Sequence, residues 1–234
     1  MKRIFLTYIL FLLFASCSTQ YEIHSHTGTS IDVKTKVDSV VLSIIAPYQN
    51  ALSEKMNEVL CYNSTKMIKG QPESILGNFV CDLCLETIGG DANICILNNG
   101  GLRSELPKGE ITKGQIYELM PFENELVILE LNKSEINDLL EYILVRGGEP
   151  FGGMRIVVSN NETISAKISG EELNEQESIK VLTSDYLANG GNKMNFFIGK
   201  EQYKLGLKLR DAIINYCFSK DTITSKLDNR MSYE

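Results

Sequence analysis

The sequence predicts an α+β domain, and three observations carry that prediction. Helical periodicity dominates the first third, strand-length apolar runs dominate the second half, and neither an internal repeat nor a low-complexity segment interrupts the order. With 234 residues, 43% of them apolar and 23% charged, the chain is long enough to bury a core.

The first segment, MKRIFLTYILFLLFASCSTQ, places Lys2 and Arg3 before an apolar run from Ile4 to Phe14 and closes on small residues. That is the layout of a secretory signal, too short for a comfortable membrane span. Its Phe14-Ala15-Ser16-Cys17 ending resembles the lipobox of bacterial lipoproteins. Residues 1–16 are therefore expected to be removed and Cys17 lipidated, with a plain signal peptide or an uncleaved anchor as alternatives. Residues 17–31 read as a lipidated cysteine and a polar tether, and residues 32–234 as the domain. The implied location is the bacterial envelope, anchored by lipid and facing the periplasm or the cell surface.

From Val33, apolar positions through Val37, Val40, Val41, Ile44, Ile45, Tyr48, Leu52, Met56 and Val59 recur at helical spacing. Pro47 is expected to kink or divide that helix. A second helix is expected over about Glu73 to Ile88, stopped by Gly89-Gly90. Asn93 to Leu97 reads as a buried strand entering the Asn98-Asn99-Gly100-Gly101 turn. Gly109 to Thr112 leads into a short helix capped by Thr112, which ends before Met120-Pro121. Glu125 to Leu131 reads as a strand, and Ser134 is expected to cap a helix running to about Val145. Strands follow at Met154 to Ser159, Thr163 to Ile168 and Ile179 to Ser184, with a turn at Asn160-Asn161. The last helix is expected over about Leu207 to Phe218.

The net charge of −7 becomes −9 once Lys2 and Arg3 leave with the signal. Such a surface argues against nucleic-acid polymers as partners, because phosphate neutralisation needs a basic face. A small anion held by one arginine remains compatible. The only histidines, His24 and His26, fall in the tether, so the domain has none for a Ser-His-Asp or Cys-His site or for a dinuclear metal centre. No P-loop pattern occurs. Acidic pairs such as Glu123 with Glu125 and Glu171 with Glu172 read as solvated surface.

Besides Cys17 there are Cys61, Cys81, Cys84, Cys95 and Cys217, an odd set that leaves at least one thiol free. Cys81 and Cys84 have metal or redox spacing, but they sit in a helical apolar pattern and read as buried thiols.

What remains is a binding site of turns, one arginine and aromatics. Gly100 and Gly101 permit close backbone approach, Asn98 and Asn99 supply donors and acceptors, and Arg103 offers a planar fork for phosphate or ribose hydroxyls. Phe122, held after Pro121, can show a flat face to a base. A nucleoside-like ligand between Arg103 and Phe122 is one reading, and an ordinary turn beside a core phenylalanine is the other.

Five ordered blocks then narrow the reading: ESILGNFVCDLCLE (73–86), NNGGLR (98–103), GEITKGQIYELMPFENELVILEL (109–131), FGGMRIVVS (151–159) and VLTSDYLANGG (181–191). From about residue 33 to 218 the chain resembles the C-terminal, substrate-binding domain of secreted 5'-nucleotidases. The resemblance implies an α+β domain that, in the family, follows a metallophosphoesterase domain carrying two metal ions and the catalytic histidines. It implies that Asn98 contacts a base, that Arg103 reaches ribose and phosphate, and that Phe122 is the first of two stacking rings. Asn189, Gly190 and Gly191 match the second binding turn.

Two positions depart from the family pattern. Lys66, Lys69, Gly70 and Gln71 precede Glu73 where an arginine is common. Met194 falls where the second ring is expected, leaving Phe196, Phe197 or an open sandwich as alternatives. The implied function is the nucleotide- or nucleoside-binding half of a split 5'-nucleotidase. Divalent metals are then expected only in a separate metallophosphoesterase subunit, with no cofactor and no catalytic residue in this chain. A stand-alone nucleotide-binding lipoprotein and a degenerate interaction scaffold are the alternatives.

Overall fold

The computed structural model describes residues 38–160, 162–172 and 178–234. The expected signal segment and tether, with Cys17 and both histidines, lie outside the described residues. Two units divide between Ile44 and Ile45. Helix α1, Ser39–Met56, crosses that division, and Pro47 lies inside it without dividing it. Asp38 caps its first turn by accepting from the Val40 amide at 2.8 Å. None of its residues is buried. Val59, the last position of the helical pattern, belongs instead to strand β1, Val59–Asn63, because the helix ends at Met56 and Val59 pairs with Thr112.

Helix α2, Ile75–Thr87, begins one residue after Ser74, whose hydroxyl accepts from the Gly77 amide at 3.0 Å. Strand β2, Ile94–Ile96, and strand β3, Gly109–Thr112, follow. Thr112 caps helix α3, Lys113–Leu119, in a capping box with Gln115. Strand β4 is Glu125–Leu131 and helix α4 is Lys133–Val145.

Asn132, and not Ser134, caps α4: its side chain accepts from the Glu135 amide at 3.1 Å while the Glu135 carboxylate accepts from the Asn132 amide at 2.9 Å. Ser134 already lies inside the first turn, where its hydroxyl has no such partner. Asn132→Ala is expected to lower unfolding free energy by about 1 kcal/mol in urea denaturation, and Ser134→Ala to change it by less than about 0.5 kcal/mol. Equal losses would return the cap to Ser134.

The second half supplies β5 (Phe151–Gly152), β6 (Met154–Ser159), β7 (Glu162–Ile168), β8 (Glu171–Glu172) and β9 (Ile179–Ser184). A single turn, α5 (Asp185–Ala188), leads through two 3₁₀ turns to β10 (Tyr203–Lys208). Helix α6 (Leu209–Phe218), β11 (Thr222–Ile223) and β12 (Met231–Tyr233) complete the chain.

The central sheet has the order β10-β4-β9-β2-β5. Along β4, Leu126 and Ile128 enter one apolar cluster with α2 and α6, and Val127, Leu129 and Leu131 enter a second with α4 and the β6–β7 pair. Period-two alternation thus buries both faces of this sheet.

Strand directions decide where the loops meet. β2 runs parallel to β9, with Cys95 beside Leu182, while β4 and β5 run antiparallel to them, with Leu126 beside Ser184 and Ile96 beside Phe151. The exits of β2 and β9 and the entries of β4 and β5 therefore share one end of the sheet. Those four points carry, in order, the turn at residues 98–101, the turn at residues 189–191, Phe122 and Glu149.

Candidate functional site

The first turn is built by its own asparagine. The Gly101 amide donates to the Asn98 carbonyl at 3.0 Å, and the Asn98 side chain lies over the glycines. A Cβ at Gly101 would stand 2.9 Å from Asn98 Oδ1, and one at Gly100 would stand 3.2 Å from its Nδ2, so only glycine lets the amide lie flat there. Half-buried Asn98 makes no side-chain hydrogen bond with the described residues, which leaves its amide donor and acceptor open. Asn99 turns the other way, and its Oδ1 is buried without a partner among the described residues.

Arg103 and Phe122 are brought together. The Arg103 amide donates to the Leu119 carbonyl at 2.8 Å, tying the turn to the end of α3 just before Phe122. Its guanidinium donates to the Gly100 carbonyl at 3.2 Å, and its Cζ stands 5.9 Å from the Phe122 ring centroid. Among the described residues no carboxylate pairs with Arg103, so its remaining donors face solvent. Phe122 is 40% exposed and is not a core residue.

The second turn is arranged differently from the expectation. Met194 and Phe197 are fully buried in the cluster below the sheet, and half-buried Phe196 packs edge-on against Phe197 and Tyr142. Met194 and Phe197 present no free face, because the 3₁₀ turns fold both inward, while Phe196 stays half-buried at the edge of the cluster. The exposed aromatic at this turn is Tyr186, 49% open, one residue into α5. Its hydroxyl accepts from the Asn192 amide at 3.1 Å. Gly191 makes that contact possible, since a Cβ there would lie 2.4 Å from the Tyr186 carbonyl oxygen and 2.6 Å from its ring. Asp185 Oδ1 accepts from the Glu125 amide at 3.1 Å, three residues beyond Phe122, and so joins α5 to the entry of β4. Asn189 is engaged internally: its side chain donates to the Asp185 carbonyl at 2.7 Å and accepts from Gln202 at 3.1 Å. Gly190 takes the left-handed φ of +86° that the turn requires.

Glu149 joins the two turns. Its carboxylate, 1% exposed, accepts from the Asn99 amide at 2.7 Å, from Arg146 Nε at 3.2 Å and from Asn192 Nδ2 at 3.2 Å. Tyr142 adds a hydroxyl that donates to the Asn192 carbonyl at 2.9 Å and accepts from Asn192 Nδ2 at 2.8 Å. No local pattern singles out Glu149, and Tyr186 lies inside a quoted block without a motif of its own. An acid just before Pro150 at a strand entry and an aromatic just after a strand exit are the signals that would have pointed to them.

The remaining electrostatics frame the site. Arg210 and Lys208 hold the Glu123 carboxyl down to about 2, well below the usual carboxylate range. All five described cysteines are free and buried, and burial pushes the Cys95 thiol well up, which fits packing and not thiolate chemistry. Among the described residues no group of three or more His, Cys, Asp or Glu side chains could hold a metal ion.

Comparison with known proteins accords with this geometry. Residues 57–198 match the family model described as 5'-nucleotidase, C-terminal domain. The chain is 28% identical over 199 residues to the trifunctional nucleotide phosphoesterase protein YfkN of Bacillus subtilis, covering 75% of this chain and 13% of that protein. It is 23% identical over 172 residues to a 5'-nucleotidase of Vibrio vulnificus, covering 69% and 31%. The chain thus spans less than a third of either relative. Among solved structures, a 5'-nucleotidase precursor from Thermus thermophilus superposes with a TM-score of 0.72 at 22% identity, over 83% of this chain and 43% of that one. The NAD nucleotidase of Haemophilus influenzae superposes at 0.66 and 17% identity, over 84% and 41%, which shows a shared fold. With more than half of its length matched by the family model and its turns meeting at one sheet end, the chain belongs to the 5'-nucleotidase C-terminal domain family.

Proposed function

We propose that this chain is the nucleotide- or nucleoside-binding half of a split 5'-nucleotidase, with phosphomonoester hydrolysis supplied by a separate metallophosphoesterase subunit that carries the divalent metals. The observation that carries the reading is the meeting of Arg103 and Phe122, Cζ 5.9 Å from the ring, at a turn whose Asn98 amide is unengaged. A base would stack on the exposed ring of Phe122 with the Asn98 amide at its edge, and Tyr186, the exposed aromatic of the second turn, is the candidate for its other face. Arg103 would take ribose hydroxyls or phosphate with its open donors. The assignment of hydrolysis to another chain draws on the domain order that the family resemblance implies and on the two histidines of the whole sequence lying at positions 24 and 26. The signal-like start and Cys17 support lipid anchoring to a bacterial envelope membrane, periplasmic or surface-facing.

The test is calorimetric titration of residues 18–234 with adenosine and AMP. Native protein is expected to bind, and Arg103→Ala and Phe122→Ala are each expected to weaken binding by about 1–3 kcal/mol. Absence of binding by a cooperatively folded sample would sink the proposal that this chain alone forms the site.

A further inference from the structure

Phe122 can serve as a platform only if the chain carrying it is held still, and residues 120–124 form no regular structure. The residue that holds them is Arg210, the second residue of α6, 5% exposed. Its Nη1 donates to the Phe122 carbonyl at 3.2 Å and, at the limit of a hydrogen bond, to the Met120 carbonyl at 3.5 Å. Its Nη2 pairs with Glu123, and its Cζ lies 4.3 Å from the ring centroid of Tyr117 on α3. One guanidinium thus grips the backbone at Phe122 and the residues on either side of that grip. We propose that Arg210 is a positioning residue that fixes the Met120–Glu123 segment and thereby sets the Phe122 ring for the base, without acting on the sugar-phosphate side of the site.

Stability alone does not account for an arginine here. Its Nε is buried with no partner among the described residues, and its carboxylate partner Glu123 is 62% exposed, where water screens the pair. A buried cation so poorly repaid is commonly matched or bettered by an apolar side chain of similar length. What an apolar chain cannot supply is directed donation to two carbonyls of an irregular loop. Arg103 is anchored independently of this grip, its backbone bonded to Leu119 and its side chain to Gly100, and it meets the gripped segment only at the Phe122 ring. The grip itself is independent of any ligand. Its consequence for base binding rests on the nucleotide reading above.

Arg210→Met and Glu123→Gln in the full chain test both parts. Without ligand, chymotrypsin is expected to cut after Phe122 about tenfold faster in Arg210→Met than in native protein, while the melting temperature moves by less than about 5 °C. Glu123→Gln, which removes one contact of the grip from the surface, is expected to give a smaller acceleration and serves if Arg210→Met fails to fold. With ligand, Arg210→Met is expected to lose about tenfold in adenosine affinity while ribose 5-phosphate binds as before. Unchanged cleavage after Phe122 in both variants would overturn the proposal, and so would equal losses for adenosine and ribose 5-phosphate. Faster cleavage in a protein whose native form binds neither compound would uphold the grip and remove the nucleotide reading.

Discussion

Glu149→Ala is expected to cost about 2–4 kcal/mol of stability and at least about tenfold in adenosine affinity, although Glu149 is almost wholly buried beneath the two turns. The carboxylate is 1% exposed and accepts three hydrogen bonds, from the Asn99 amide, Arg146 and the Asn192 side chain. Truncation leaves the Asn99 amide without an acceptor and frees the 98–101 turn from the turn bearing Gly191 and Asn192. Glu149→Gln is the informative companion, since it keeps the volume and one carbonyl acceptor but loses the charge facing Arg146. It is expected to fold with a smaller loss, recovering part of the affinity. Urea denaturation and calorimetry would measure both. Affinity retained in Glu149→Ala would show that the turns hold their places without the bridge.

Tyr186→Ala and Met194→Ala are expected to fail in opposite ways. Tyr186 is half open at the sheet end, so its loss is expected to weaken adenosine binding by about 1–3 kcal/mol while folding is largely retained. Tyr186→Phe keeps the ring and gives up only the acceptor for the Asn192 amide, so most of the affinity is expected to remain. Met194 is fully buried against the second core cluster, and Met194→Ala is expected to cost about 2–5 kcal/mol of stability, with any affinity loss following from that. Ligand affinity lost in Met194→Ala at unchanged stability, with Tyr186→Ala neutral, would restore position 194 as the second platform.

Local signals were read correctly where local physics decides. Strands β4, β6 and β9 fall on the apolar runs that announced them, and Thr112 caps α3 as its hydroxyl chemistry predicts. The cap of α4 was misplaced because Asn132 and Ser134 are both capping residues, and only the reciprocal bonds with Glu135 distinguish them. The sequence pattern does not announce strands β1, β3, β5, β8, β10, β11 and β12. Their burial alternates weakly or their length is two or three residues, so pairing partners elsewhere in the chain define them.

By itself the sequence determined the α+β class, the main helices and strands, and the cluster of Asn98, Gly100, Gly101 and Arg103 with Phe122, since residues within about 25 positions of one another are confined by the intervening turn and helix. Tertiary structure alone decided the other side of the site. It turned Met194 and Phe197 into the core with Phe196 half-buried against them, left Tyr186 at the surface, and brought Glu149 and Arg210 to turns 50 and 88 residues away in sequence. The physical reason is that parallel pairing of β2 with β9, flanked by antiparallel β4 and β5, delivers four distant loops to one sheet end, and a hydrogen bond between distant residues leaves no periodicity in the chain.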